Sequence, residues 1–243
     1  MAKNKRPLIA VPVTEKSEDG IKAAFERLHQ KGADLIEWRA DCFSEIGDPE
    51  RVEKILSFAP DNLLFTVRTK SEGGFFTGSL NDYFSLLKLS ALTKKAKIID
   101  VQYRDVSSQD SVSFIQELKE YGAKFLISYH DFSGTPSYEE MKDLLYSMKD
   151  SGASIVKLAV TARNEEEAMR LLSLSESFTR NNPDTDTVTI SMGPYGILSR
   201  IGGAVTGSFI TFAAEDRDRA SAPGQLIFDD MKSVLSLIES EMG

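Results

Sequence analysis

Six polar side chains that a packed core has no reason to select occupy similar places in successive β-branched runs: Glu37, Arg39, Arg68, Asp100, His130 and Lys157. The lysine carries the most specific chemistry. An amine set among Ile155, Ala159, Met192 and Phe212, with Arg39 or Arg68 nearby, has its charged form disfavoured by desolvation and like charge. Its pKa is expected below the ordinary ~10.4, leaving more neutral nucleophile. Such an amine attacks a ketone to form an imine, and the protonated imine withdraws electrons from the adjacent carbon. A histidine such as His130 can remove the proton there, with Glu37 holding the other imidazole nitrogen to fix its tautomer and raise its basicity. Metal chemistry is not expected, because no His-x-x-x-His, His-Glu-x-x-His or Asp/Asn-rich calcium loop occurs. The Gly-x-Gly-x-x-Gly dinucleotide fingerprint is absent too.

Positioning these groups requires strands that deliver them to one place. Short β-branched runs alternate with longer segments of helical period, the pattern of βαβ units and a parallel sheet. Eight strands are expected: Leu8 to Val13, Leu35 to Ala40, Leu63 to Thr69, Lys97 to Tyr103, Lys124 to His130, Ser154 to Val160, Thr187 to Met192 and Val205 to Phe212. They start about 28 residues apart, the spacing that fills an α/β barrel of ~250 residues with eight units. Ser137-Tyr-Glu-Glu140 is a capping box ahead of the stripe Met141, Leu144, Leu145 and Met148, and Asp150-Ser-Gly152 ends that helix. A second helix is expected from Asn164 to Asn181. No linker divides the chain, so residues 1–243 are expected to form a single (β/α)8 TIM barrel domain.

Alternation along a strand sorts each one into two sets. Ile36 and Trp38 oppose Glu37 and Arg39; Phe65 and Val67 oppose Thr66 and Arg68; Ile99 and Val101 oppose Asp100 and Gln102. Ile127 and Tyr129 oppose Ser128 and His130, while Val156, Leu158 and Val160 oppose Ile155, Lys157 and Ala159. The face against surrounding helices demands apolar side chains, so the mixed set points into the barrel, near the C-terminal strand ends. Each residue alone has an ordinary reading. Lys157 as a snorkelling strand-end lysine, His130 as a hydrogen-bonded core histidine, and Glu37 with Arg39 as a buried ion pair all fit. Convergence favours chemistry, since burying so many charges costs stability. His29 sits on a charged helix face and Trp38 among the core set, while Cys42 and Phe75-Phe76 say little. The loops Ser71 to Gly78 and Glu215 to Gln225 follow strand ends, where barrel enzymes place their sites. Gly202-Gly203 near strand eight could mark a phosphate site, as in many barrels, but such a pair more often serves a turn.

The chain carries a net charge of −8 with 41% hydrophobic and 27% charged residues, which excludes a basic nucleic-acid binder and a disordered chain. A single cysteine, Cys42, is compatible with a reducing cytoplasm. No segment has the ~20 apolar residues that span a bilayer, and the apolar run after the basic start is shorter than a signal-peptide core.

Ile36-Glu-Trp-Arg-Ala-Asp41, Phe65 to Gly74, Ser128-Tyr-His-Asp-Phe132, Val156-Lys-Leu-Ala159, Ile190-Ser-Met192 with Ser199-Arg200, and Ser221-Ala-Pro-Gly-Gln225 together resemble the signature segments of type I 3-dehydroquinate dehydratases. The resemblance runs through nearly the whole chain. It implies a (β/α)8 barrel that dehydrates 3-dehydroquinate to 3-dehydroshikimate in the shikimate pathway, through a lysine imine and without metal or cofactor. By matching motif, Lys157 forms the imine, His130 is the base and then the acid, and Glu37 pairs with His130. Arg39, Arg68 and Glu72 hold substrate hydroxyls. Arg200 and Gln225, with Ser221, bind the carboxylate and C1 hydroxyl end, and Met192 and Phe212 form apolar walls. A cytoplasmic homodimer is what the family implies. Three features depart from its pattern: Gln102 stands where an acidic residue is expected, Gly193-Pro-Tyr-Gly196 replaces a charged stretch, and the Ser221 loop is slightly long. A class I aldolase and a catalytically silent quinate sensor remain the alternatives, disfavoured respectively by the Glu37-Trp-Arg39 and Ser221 segments and by an intact Lys157 and His130.

Overall fold

The computed structural model describes residues 6–106, 112–219 and 225–242. Its strands are β1 (Leu8–Val13), β2 (Leu35–Arg39), β3 (Leu63–Thr66), β4 (Ala96–Gln102), β5 (Phe125–Asp131), β6 (Ile155–Thr161), β7 (Asp186–Met192) and β8 (Ile210–Phe212). The sheet order is β7-β6-β5-β4-β3-β2-β1-β8, and the parallel bridge from Thr187 to Ser208 ties β7 to the approach to β8. With a helix after each strand, this is the (β/α)8 barrel class. Contacts group the chain into two compact units: Val11–Ile127, and the described residues up to Ala10 together with those from Ser128 onward.

In the first unit, α1 (Glu18–Lys31) starts where the Ser17 hydroxyl accepts from the Gly20 N–H, and ends at Gly32 in the left-handed region that glycine tolerates. Its buried side, Ile21, Ala24, Phe25 and Leu28, repeats at helical spacing. Trp38 is fully buried, edge-on to Phe25 and Phe65, as its strand parity predicts. The helices α2 (Pro49–Ser57), α3 (Leu80–Thr93), α4 (Tyr103–Val106) and α5 (Val112–Glu120) follow. Strand β3 is shorter than the expected run to Thr69. Beyond Thr66 the backbone leaves the ladder, because the Arg68 N–H donates to the Asp41 carboxylate and the Phe76 N–H donates to the Arg68 carbonyl.

In the second unit, α6 (Tyr138–Asp150) carries the expected capping box, with Ser137 and Glu140 each bonded to the other's backbone. Helix α7 (Glu165–Asn181) begins at Asn164, whose side chain accepts from the Glu167 N–H. Expected strand eight, Val205 to Phe212, is overturned in its first half: α8 (Ile197–Thr206) runs through Val205, Gly207 caps it in the left-handed region, and only Ile210–Phe212 is strand. Gly202-Gly203 is thus inside a helix, where its use is closeness. A Cβ on Gly203 would meet the Ser208 Cβ at 2.9 Å, and the Ser208 N–H donates back to the Gly203 carbonyl. The last helix is α9 (Phe228–Met242).

Strand β7 departs from the rule that the helix-facing set is apolar. Its register with β6 aligns Lys157 with Val188 and Ala159 with Ile190, so Thr187, Thr189 and Ser191 share the opposite face. All three are buried, with hydroxyls that find no hydrogen-bond partner among the described residues. Small residues suit this face because α8 approaches closely: a Cβ on Gly196 would collide with the Ser191 carbonyl, and the Ser191 N–H donates to the Ser199 hydroxyl at 2.8 Å.

Candidate active site

The first unit holds a buried ion network. Glu37, on β2, is 4% exposed and accepts at Oε1 from the Thr66 hydroxyl of β3 at 3.0 Å. Their strands are in parallel register, which places Arg39 beside Thr66 and Thr66 beside Asp100. Arg39 pairs with Asp41 through two bonds of 2.8 and 2.7 Å rather than with Glu37. Burial opposes its charge, and the Asp41 carboxylate outweighs this, so its pKa stands above the ordinary arginine range.

Arg68 is buried at the centre of the network. Its Nη2 donates to Asp100 Oδ2 at 2.6 Å and its Nη1 to Glu72 Oε2 at 3.2 Å and to Gln102 Oε1 at 3.3 Å. Desolvation works against the guanidinium, yet Asp100 and Glu72 hold it charged. Burial raises the Glu72 carboxyl to about 7, with Arg68 opposing the rise. A Cβ on Gly74 would clash with the Arg68 carbonyl, so glycine lets the turn carrying Glu72 close over Arg68. Of the residues expected here, Glu37, Arg39, Arg68 and Glu72 are brought into this one unit. Asp41 has no strand parity to nominate it; the signal for it is its place two residues after Arg39 in the Glu-Trp-Arg-Ala-Asp segment. It organises Arg39, the Arg68 N–H and the Phe75 N–H.

The second unit carries the amine and a different kind of cation. Lys157, on β6, is 4% exposed, and its Nζ lies 4.5 Å from the centre of the Phe212 ring. The expected apolar neighbours Ile155, Ala159, Met192 and Phe212 are all buried. His130, near the end of β5, is half-buried, its ring nearly parallel to that of Phe132 at 6.4 Å. The neighbouring Asp131 carboxylate is engaged by the Ser133 N–H and hydroxyl. Arg200 lies on α8, which the small residues of β7 allow to sit close. It is 2% exposed, and its Nη1 donates to the Phe212 carbonyl at 3.1 Å. Its Nε–H has no partner, and no carboxylate among the described residues pairs with it. Burial alone pushes its pKa down to about 10, so it remains charged at neutral pH. Gln225 is half-buried, next to the Leu226 carbonyl that accepts from the Ala214 N–H. Ser221 lies outside the described residues. His29 is exposed on α1, in keeping with a solvated role.

A family model described as type I 3-dehydroquinase matches residues 9–242. The 3-dehydroquinate dehydratase of Clostridium kluyveri is 34% identical over 239 residues, covering 96% of this chain and 93% of that protein. Among solved structures, the type I 3-dehydroquinate dehydratase of Clostridium difficile with covalent modified comenic acid has a TM-score of 0.91 and 33% identity, covering 97% of this chain and 94% of that one. The 3-dehydroquinate dehydratase of Geobacillus kaustophilus HTA426 has a TM-score of 0.89 at 28% identity, with coverage of 97% and 92%. With a match along almost the entire chain, the chain belongs to the type I 3-dehydroquinase family of hydro-lyases.

Proposed function

We propose that the chain dehydrates 3-dehydroquinate to 3-dehydroshikimate by β-elimination through an imine on Lys157, as one domain working in the shikimate pathway. The observation that carries this reading is the pair of nitrogen groups meeting at Phe212: the Lys157 amine over its ring and the Arg200 guanidinium on its carbonyl. A substrate with a ketone for the first and a carboxylate for the second fits that pair. Arg200 needs an anionic partner, and a carboxylate can accept from its unpartnered Nε–H.

In this reading the free amine of Lys157 adds to the C3 ketone and, with uptake of one proton that the final hydrolysis returns, water leaves to give an imine protonated at nitrogen. His130 takes the C2 proton, and the electrons of that C–H bond pass into the C2–C3 enamine. The enamine then expels the C1 hydroxyl, which accepts the proton back from His130 and departs as water. A second water hydrolyses the product imine and frees Lys157, so the net loss is one water. Glu37 supplies the carboxylate that sustains the base in its role. Arg39, Arg68 and Glu72 hold substrate hydroxyls, Arg200, Ser221 and Gln225 hold the carboxylate and C1 hydroxyl end, and Met192 and Phe212 wall the site. The reading extends to a cytoplasmic homodimer.

The test is intact-protein mass spectrometry after 3-dehydroquinate and borohydride, with peptide mapping. A reduced adduct on Lys157, absent in Lys157→Ala, is the expected result. Normal turnover in Lys157→Ala would refute the mechanism.

A further inference from the structure

Position 102 is where the family resemblance calls for an acidic residue, and this chain has an amide buried in the ion network. Its orientation is set by its neighbours. Oε1 accepts from the Thr69 N–H at 2.9 Å, so Nε2 is the other end, donating to the Thr69 hydroxyl at 2.8 Å and to Asp105 Oδ2 at 2.5 Å. The backbone N–H of Gln102 donates to the Tyr83 hydroxyl at 2.9 Å, which pins the strand end. The amide therefore points an oxygen at Arg68 Nη1 and an N–H at Asp105. The negative charge missing from position 102 stands three residues later and reaches Arg68 through the amide dipole.

We propose that Gln102 is a positioning residue that couples Asp105 to Arg68 and keeps the guanidinium set between Glu72 and Asp100. This rests on the reading that Arg68 and Glu72 hold substrate. The ionisable groups facing the amide and Arg68 are Glu72, Asp100, Asp105, Arg104, Arg39 and Tyr83. Three of these carboxylates already crowd around Arg68 and Arg104, and burial raises both Glu72 and Asp105 above their ordinary range. Neutrality at position 102 is what that crowding requires. A glutamate there would set one acceptor against another at the Asp105 contact, and the pair would hold together only by binding an extra proton.

A charge swap tests this with four proteins: wild type, Gln102→Glu, Asp105→Asn, and the double variant. The double variant returns an acid to position 102 and an N–H donor to position 105 at unchanged total charge. kcat and KM are measured from about pH 5 to 9, with melting temperatures to confirm folding. Gln102→Glu is expected to lose about tenfold in kcat/KM at pH 8, mostly through KM, and to recover as pH falls. The double variant is expected within about threefold of wild type at pH 8. A wild-type pH profile in Gln102→Glu, or a folded double variant no better than that single variant, would overturn the proposal. Arg68→Met run alongside separates the two claims. An unchanged KM there overturns the substrate reading, whereas a raised KM there with no rescue by the swap overturns the role of Gln102 alone.

Discussion

Arg200 allows stability and binding to be set against each other in one substitution. In Arg200→Met a side chain of similar reach replaces a guanidinium that is 2% exposed and has no acid partner among the described residues. Burial lowers its pKa from the ordinary arginine range to about 10. The folded state therefore disfavours the charge that the unfolded chain carries freely, a penalty of about 3 kcal/mol. The sign follows from the direction: below the folded pKa both states are protonated and the penalty is present in full, and it is relieved only as pH rises through about 10. Losing the bond to the Phe212 carbonyl returns about 1 kcal/mol, so the variant should be more stable at neutral pH by about 2 kcal/mol. For a chain of this size that is a melting temperature higher by about 4–8 °C, with the gap closing above pH 10. Binding should move the other way, with KM for 3-dehydroquinate rising by at least about a hundredfold because a buried carboxylate loses its ion partner. A carboxylate-bearing ligand should raise the melting temperature of the wild type and leave that of the variant unmoved. Scanning calorimetry and steady-state assays read both effects. A variant melting below the wild type refutes the desolvation argument, and an unchanged KM refutes the carboxylate assignment.

Thr189→Val removes a buried hydroxyl without a partner on the helix-facing side of β7, so it should stabilise by about 1 kcal/mol and leave turnover unchanged, as thermal melts and an activity assay will show. Gly74→Ala should cost about 1–3 kcal/mol and raise KM, because the new methyl would drive into the Arg68 carbonyl and lift the turn bearing Glu72. Unchanged melting and KM in that variant would mean the turn is not held where Arg68 needs it.

The strand alternation carried most of what was legible. It separated Glu37, Arg39, Arg68, Asp100 and Lys157 from Trp38, Phe65 and Leu158 because a period of two survives burial on both faces of a barrel strand. It misled where backbone partners come from outside the ladder. Arg68 reads as strand by its β-branched surroundings, yet its N–H goes to Asp41 and its carbonyl to Phe76. The Gly202-Gly203 pair reads as a turn from composition alone, whereas it lies inside α8, where Gly202 faces Leu172 of α7 and Gly203 lets the helix pack close to Ser208. The polar outer face of β7 was equally invisible, since it makes sense only once that close helix is in place. Arg200 and Gln225 had no strand pattern to nominate them and came from motif resemblance, as did Ser221.

The partners of the buried arginines explain how a chain of net charge −8 can take an anionic substrate. Arg68 is neutralised where it stands by Asp100 and Glu72, and Arg39 by Asp41. Their charges are already matched by carboxylates, which suits the proposed role of holding neutral substrate hydroxyls. Arg200 is the contrasting case, buried at a cost with Phe212 offering only a carbonyl. Long-range attraction is unfavourable for such a chain, and salt screens charges over about 8–10 Å in any case. On the proposed reading, selectivity for a carboxylate is then local, set by the Arg200 guanidinium with its neutralisation left to the ligand. A protein optimised for stability alone would place an acid beside Arg200 or remove its charge.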